Sequence, residues 1–362
     1  MITTFEVNRG DRAETRAVEE SVEIREGQVR ARIDHFAVTS NNITYSVIGH
    51  LMGYWDFFPP ADEGWGRVPA FGYAEIVESR CDGVDVGTRV YGYLPMASHV
   101  VLRPGRITPR SFSDTAAHRQ PMSKVYNRYE ISAADPLHDP AREPQRMLLH
   151  PLFMTSFVID DWCDDNDDFG AETVVVSSAS SKTAIGLAHL LSRRAGVPVV
   201  GLTSPGNLAF TESLGCYDRV VTYDRVSTLD RGPAVYIDMS AAGELRAAVH
   251  RHFGDDLKAS SSVGATDWAH MAGGNDLPGP TPELFFAPSQ IEKRNAEWGR
   301  EEMDRRAREA WTTYSAWTDD WLTIVHHDGP EALAALWAEM LPGRVDPAVG
   351  HIVRMNTDRI GG

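Results

Sequence analysis

The sequence predicts an α/β protein in two parts, a β-rich domain followed by a doubly wound parallel sheet. Three observations carry that expectation. Residues 1 to about 105 hold short strand-like runs broken by glycine turns. From Thr173 to about 264, β-branched runs alternate with amphipathic stretches, as parallel strands alternate with crossover helices. A chain of 362 residues with 42% hydrophobic content has room for two cores.

In the first part, Ser21 to Glu26 and Gln28 to Phe36 read as strands joined at Gly27. Val68 to Ser79 and Arg89 to Tyr93 follow, with a turn around Gly83 and Gly87, and residues 97–103 add another strand. From Pro104 to Pro144 the composition turns polar and proline-bearing, which reads as a long connection. Leu148 to Trp162 predicts a packed helix that ends in the acidic run Asp160–Asp168. A calcium loop starting at Asp165 would put Phe169 where an oxygen ligand is required, so a solvated acidic loop is the better reading.

The stretch from Glu172 to Gly196 organises the second part. Thr173-Val174-Val175-Val176 is β-branched and short, as a strand buried on both faces would be. Ser177 to Ser181 are small and polar. Lys182 to Arg194 then reads as a helix with Ile185, Leu187, Ala188, Leu190 and Leu191 on its apolar face and Gly196 at its C-cap. Val197 to Leu202 completes a βαβ unit. The turn between strand and helix is where a dinucleotide pyrophosphate sits on free N–H groups. Against G-x-x-G-x-x-G the chain offers Ser178-Ala179-Ser180-Ser181-Lys182-Thr183-Ala184, with Ser, Ser and Ala at the glycine places. A P-loop is excluded, because its first glycine would fall on Val176 inside the strand. An ordinary crossover with a Ser-rich turn is the alternative.

Beyond it, Leu208 to Leu214 reads as a helix closed by Gly215. Arg219 to Tyr223, Ala234 to Met239 and Leu257 to Val263 read as strands, and Leu245 to His252 as a helix. Gln290 to Thr323 and Pro330 to Met340 read as helices, and Val349 to Met355 as a last strand. Trp311, Tyr314, Trp317 and Trp321 recur at near-helical spacing, which fits a buried stripe or the contact of a homodimer.

Composition limits the partners. A formal charge of −16 argues against nucleic acid. No apolar run reaches transmembrane length, and MITTFEVNRGDRAET lacks a signal-peptide core, so no membrane association is expected. Cys81, Cys163 and Cys216 are widely spaced and suit a reducing cytoplasm.

The order of several loose motifs resembles the medium-chain dehydrogenase/reductase superfamily, in its zinc-free quinone-reductase and enoyl-reductase branch. Ala37-Val38-Thr39-Ser40-Asn41-Asn42-Ile43-Thr44-Tyr45 with Gly49 resembles VNPVETYxxxG. Gly83 to Gly92 resembles GDRVxG, and Leu152 to Phe157 falls where the branch has LTAY. Ser204 to Asn207, Leu214-Gly215-Cys216 and Thr222-Tyr223-Asp224 resemble its second strand, the following helix and an NYR-type ending. Gly343-Arg344-Val345-Asp346-Pro347 resembles GKVxP. The resemblance implies a Rossmann domain at about 146–290 and a GroES-like β-rich catalytic domain at 1–145, completed by about 291–362. Phe71-Gly72-Tyr73-Ala74-Glu75, at the zinc segment, has no His or Cys ligand, so no catalytic zinc is expected. Asp276 to Arg294 departs from the family, which marks an offshoot.

The implied activity is reduction of an activated C=C bond or quinone by NADPH, on a small-molecule substrate. A metal-free alcohol or ketone dehydrogenase and a non-catalytic nucleotide sensor are the alternatives. Leu202 to Asn207 holds no carboxylate to repel a 2′-phosphate, which favours NADPH over NADH. On the resemblance, Thr155, Ser178, Ala179, Ser180, Ser181, Lys182, Thr183, Ser204, Asn207 and Tyr223 form the cofactor site. Ser262 and Gly264 approach the nicotinamide. Tyr45 is the expected hydroxyl donor to the substrate oxygen, with Asn41 and Asn42 orienting substrate. The competing reading packs Tyr45 in the barrel core.

Overall fold

A computed structural model describes residues 1–122, 124–194, 196–263, 277–343 and 345–356. The chain forms two compact units, one from Met1–Leu148 and the segment from Leu322 onward, the other from Leu149–Trp321.

The first unit begins with β1 (Ile2–Asn8) and β2 (Thr15–Glu20), an antiparallel pair with Phe5 opposite Ala17. The strand expected at Ser21–Glu26 therefore lies earlier. Val22 there is exposed, and the alternation that imitated a strand belongs to the crossing toward the next one. β3 (Val29–Val38) points Val29, Ala31 and Ile33 inward at every second residue. After it come α1 (Ser40–Val47), α2 (Gly49–Met52), β4 (Trp65–Gly66), β5 (Pro69–Ser79), β6 (Arg89–Pro95) and β7 (His99–Leu102). β3 pairs antiparallel with both β5 and β7, so it is the hub of this unit.

The stretch read as a long connection is part of the sheet. β8 (Pro104–Gly105), β9 (Ser111–Asp114) and β10 (Arg128–Ile131) pair in turn, and β10 joins β6 with Glu130 opposite Tyr91. Its polar composition misled because a buried polar network takes the place of apolar side chains. Arg119 is fully buried, donating to Asn127 Oδ1 and to the Tyr126 carbonyl at 2.8 Å each. Its guanidinium also lies 4.9 Å from the rings of Phe57 and Phe58.

α3 (Glu143–Asp165) leads into the second unit, followed by β11 (Thr173–Val176), α4 (Lys182–Arg193) and β12 (Val199–Thr203). Next come α5 (Leu208–Ser213), β13 (Arg219–Thr222), β14 (Ala234–Asp238), α6 (Gly243–Phe253), β15 (Leu257–Ser262) and β16 (Glu283–Leu284). All neighbours are parallel, in the order β13-β12-β11-β14-β15-β16. This is the doubly wound order expected. Side-chain alternation splits each strand between two cores. Val174, Val176, Val235 and Ile237 face one layer with Ile185, Leu187 and Leu191 of α4. Val175, Tyr236 and Leu202 face the other with Val249 and Phe253 of α6. Each fully buried aliphatic side chain contributes roughly 1.5–3 kcal/mol, which is what holds α4 on the sheet.

The helix read over Gln290–Thr323 is two, α7 (Ala287–Trp298) and α8 (Arg300–Trp317). Gly299, at φ 80°, breaks it in a conformation the helix cannot continue through. Both helices fall within the second unit, past the boundary near 290 that the sequence suggested. The aromatic stripe explains this. Trp311 and Tyr314 pack on Phe153 of α3 at 5.4 and 4.9 Å, and Trp317 on His189 of α4 at 4.5 Å.

The chain returns to the first unit as β17 (Thr323–Asp328), α9 (Gly329–Met340) and β18 (Val349–Arg354). β18 pairs antiparallel with β3, and β17 lies parallel outside it. Trp337 of α9 is fully buried, meets Phe5 edge-on, and donates to the Arg12 carbonyl at 2.9 Å. No helix among the described residues is long and apolar enough to cross a membrane.

Candidate functional site

In the second unit the turn from β11 to α4 is tight and fully specified. Ser178, at the first glycine place, sits at φ 50°. That left-handed conformation costs an L-residue about 1–2 kcal/mol, which is why the place usually holds glycine. Neighbouring contacts hold it there. Ser181 N–H donates to the Ser178 carbonyl at 2.7 Å. Ala179 is fully buried, its N–H bonded to the Leu202 carbonyl at 3.0 Å and its carbonyl accepting Tyr217 Oη at 2.8 Å. Gly201 makes room for it, since a Cβ there would lie 2.9 Å from Ala179 Cβ.

Ser181 is the N-cap of α4, its hydroxyl accepting from Ala184 N–H at 3.3 Å. Ser180 Oγ accepts from Asn207 Nδ2 at 2.8 Å and lies 3.5 Å from Thr203 Oγ1. The structure thus brings Ser180 and Asn207 together, as a shared site requires. Lys182 and Thr183 open the helix, and the N–H groups of Ser180 and Thr183 have no acceptor among the described residues. Such donors at a helix start suit an anion. Thr155 is half-buried on α3, but the residue that reaches the turn is its neighbour Ser156, donating to the Thr183 carbonyl at 2.7 Å. Ser204 and Tyr223 are half-buried, just past the C-terminal ends of β12 and β13.

The switch point of this sheet lies between β11 and β14, where the strand order reverses. Sequence reading missed what occupies it. Ser177 Oγ donates to Asp238 Oδ1 at 2.9 Å, tying the two strand ends together. Asp238 also accepts from Ser240 N–H and Oγ, and its Oδ2 takes Arg246 Nε at 2.9 Å and Nη2 at 2.8 Å. It is 1% exposed. An acid at the end of a buried strand, with small residues after it, was the available signal. Ser262 ends β15, buried, with a hydroxyl that has no hydrogen-bond partner among the described residues. Gly264 lies outside the described residues.

In the first unit, α1 starts with a capping box. Asn42 Oδ1 accepts Thr39 N–H at 2.6 Å, and its Nδ2 donates to the Pro69 carbonyl at 2.8 Å. Asn42 is buried and pins α1 to β5, which positions Tyr45 one turn on. Tyr45 stacks on Tyr54 at 4.3 Å and meets Tyr93 edge-on at 6.3 Å. Tyr93 is fully buried, with Phe57, Phe71 and Tyr126 at 5.1, 5.0 and 4.7 Å. Gly49 follows Tyr45 because Trp55 lies against its backbone, and a Cβ there would meet the indole at 2.3 Å. Burial raises the phenols of Tyr45, Tyr54, Tyr93 and Tyr126 above their ordinary value, so all four keep their protons at neutral pH. Phe71, from the zinc-segment position, is one wall of this group. Among the described residues, no group of three or more His, Cys, Asp or Glu side chains could hold a metal ion.

The acidic run begins on α3 and is largely paired with arginine, while Asp164 and Asp167 stay exposed. Arg194 reaches Asp160, Asp164 and Asp168 at 3.2, 3.3 and 2.7 Å, and Arg294 reaches Asp161 and Asp165 at 2.7 and 3.0 Å. Carboxylates four residues apart on α3 share a face, and each row has its own arginine. Beside it lies a cavity of about 390 Å³ lined by Trp162, Phe169, Ser260, Glu283, Phe285 and Phe286. Phe285 packs on Trp162, while Phe286 is exposed.

The fold is a Rossmann domain with a GroES-like β-rich domain, like that of the solved quinone and enoyl reductases named below. The chain belongs to the DUF2855 family, described as a protein of unknown function, whose model matches residues 36–346. Among solved structures it is similar to CurA of Vibrio vulnificus in complex with NADPH, at 11% identity and a TM-score of 0.56, covering 98% of this chain and 99% of that one. The quinone oxidoreductase of Coxiella burnetii matches at 11% identity and a TM-score of 0.54 over 98% of this chain and 99% of that one. The CurK enoyl reductase matches at 14% identity and a TM-score of 0.53 over the same shares. At these identities the likeness is one of fold. No curated protein matches the chain in sequence.

Proposed function

We propose that the protein is an NADPH-dependent, zinc-independent reductase of an activated C=C bond or quinone. The observation that supports this most is the turn from β11 to α4. It keeps the fingerprint backbone without its glycines, and its Ser180 and Thr183 N–H groups have no acceptor among the described residues. NADPH is found with CurA of the same fold, and Thr203 to Asn207 carries no carboxylate against a 2′-phosphate. When bound, NADPH supplies the hydride. The protein's part is to hold the pyrophosphate on the α4 N-terminus, with Lys182, Ser180 and Asn207 beside it. Ser204 and Tyr223 take the ribose phosphate. Ser262 and, outside the described residues, Gly264 belong to the nicotinamide side. Tyr45, kept protonated by burial, donates to the oxygen on which negative charge develops. Asn42 acts through position, by fixing α1. A cytoplasmic homodimer acting on a small molecule belongs to the same reading, in keeping with three free cysteines.

A second reading, a sensor with weakened cofactor binding, draws support from the strained Ser178 and from Ser181 and Ala184 at the other glycine places. Lys182 separates the two. A charge-assisted contact from Lys182 to the pyrophosphate is worth roughly 1.5–3 kcal/mol. Lys182→Ala is expected to weaken NADPH binding by about one to two decades at fixed salt. An unchanged dissociation constant would remove Lys182 from the cofactor site.

A further inference from the structure

We infer that the cavity between the end of α3 and the β15–β16 edge binds an organic cation of the quaternary or alkylated ammonium class. The site stands apart from the reductase reading, since no residue of the turn from β11 to α4 lines it.

The cavity, of about 390 Å³, falls in the range of small-molecule sites, roughly 300–1,000 Å³. Its walls are aromatic. Trp162, Phe169 and Phe285 line it half-buried, and Phe286 lines it exposed. A closed satellite of the core would hide such rings. Trp162 meets Phe169 at 4.7 Å and 51°, and Phe285 at 5.7 Å and 67°. Rings tilted this steeply form the sides of a corner, where one flat stack would leave no recess. A cation is attracted to ring faces within about 6 Å, and rings set around a recess are how quaternary ammonium groups are held. The corner is built at a conformational cost. Asp167, Asp168 and Phe169 stand at φ 49°, 46° and 57°, three successive left-handed residues of which none is glycine. Arg194 clamps this turn through both oxygens of Asp168, at 2.7 and 3.0 Å, and Phe169 is thereby set against Trp162. Strain of this kind persists only where its surroundings impose it, and it gathers at functional sites.

Charge decides the sign of the ligand. Glu283 lines the cavity with a carboxylate. Gln290 donates its amide N–H groups to Asp161 and Asp165, which leaves its Oε1 as an acceptor. Trp162 stands in the last turn of α3, where no basic residue offsets the partial negative charge of the helix end. Among the described residues, the six carboxylates from Asp160 to Asp168 are paired with three cations, Arg194, Lys293 and Arg294. Two features would call for an anion, and both are engaged. Lys258 also lines the cavity, but its Nζ donates to the Asp255 carbonyl at 3.1 Å. The first turn of α7 holds Pro288, which has no N–H, and Ser289, whose N–H bonds to the Phe286 carbonyl at 3.0 Å.

The test is isothermal titration calorimetry of the full chain, without cofactor, at about 0.15 M salt. The probes are choline, 3,3-dimethyl-1-butanol and 3,3-dimethylbutyrate, which share one bulky head and are cationic, neutral and anionic. The expected result is choline bound at least about tenfold more tightly than the alcohol, with the butyrate weakest. Glu283→Gln with Phe286→Leu removes the carboxylate and one ring at two exposed positions, so the melting temperature should stay that of wild type. In that variant the preference for choline over the alcohol should fall to about threefold or less. A general pull of cations toward a chain of net charge −16 would survive the variant, which removes a single carboxylate. Equal binding of choline and the alcohol, no binding of choline, tighter binding of the butyrate, or a preference unchanged in the variant would each overturn the inference.

Discussion

Asp238→Ala is expected to destabilise the protein by about 3–5 kcal/mol, because it leaves the Arg246 guanidinium buried without its counter-charge. Arg246 is 7% exposed, and both Nε and Nη2 bond to Asp238 Oδ2. The same change frees Ser177 Oγ from its acceptor at the strand switch point. Urea denaturation of the second unit's transition measures the loss. Asp238→Ala combined with Arg246→Leu should recover a substantial part, since the unpaired charge is then gone. A single variant within about 0.5 kcal/mol of wild type would mean that Asp238 is not what fixes this end of the sheet.

The second large effect is a pH dependence centred on His189. The ring is 5% exposed, lies 4.5 Å from Trp317 and 5.5 Å from Tyr314, and its Nε2 has no hydrogen-bond partner among the described residues. Burial, and then the charge of Arg193, lowers its pKa from 6.5 to about 4. A depressed pKa means the unfolded chain takes up the proton first as pH falls. The stability held by neutral His189 is therefore complete above about pH 6.5 and is lost progressively toward pH 4. A fall from 6.5 to about 4, at ~1.4 kcal/mol per unit, amounts to about 3 kcal/mol. His189→Leu removes the titrating group while filling most of the space. The difference in unfolding free energy between variant and wild type should shift by about that amount between pH 7 and pH 4. Parallel pH curves for the two proteins would show that His189 carries no such linkage.

Much of the second unit was legible because its signals are local. Val174 to Val176 and the apolar face of α4 define strand and helix by spacing alone, and small residues mark the turn between them. What stayed hidden depends on contacts between distant residues. Ser177 and Asp238 meet only once the sheet order is known. The residues around Arg119 read as a loose connection because their polar groups satisfy one another inside the fold. Tyr54 and Tyr93 carry no pattern of their own. Asn42 was legible as important but not in its role, since a capping box and a substrate contact ask for the same residue type. The break at Gly299 was readable in principle. A glycine within a helical pattern was passed over because the flanking residues are good helix formers.

The central claim is that this glycine-poor turn binds a dinucleotide phosphate. The most direct measurement is a titration of NADPH and of NADH against the intrinsic fluorescence of the nine tryptophans, at one salt concentration. The account predicts saturable binding of NADPH, tighter than that of NADH because no carboxylate faces the 2′-phosphate. Binding of neither nucleotide would contradict it.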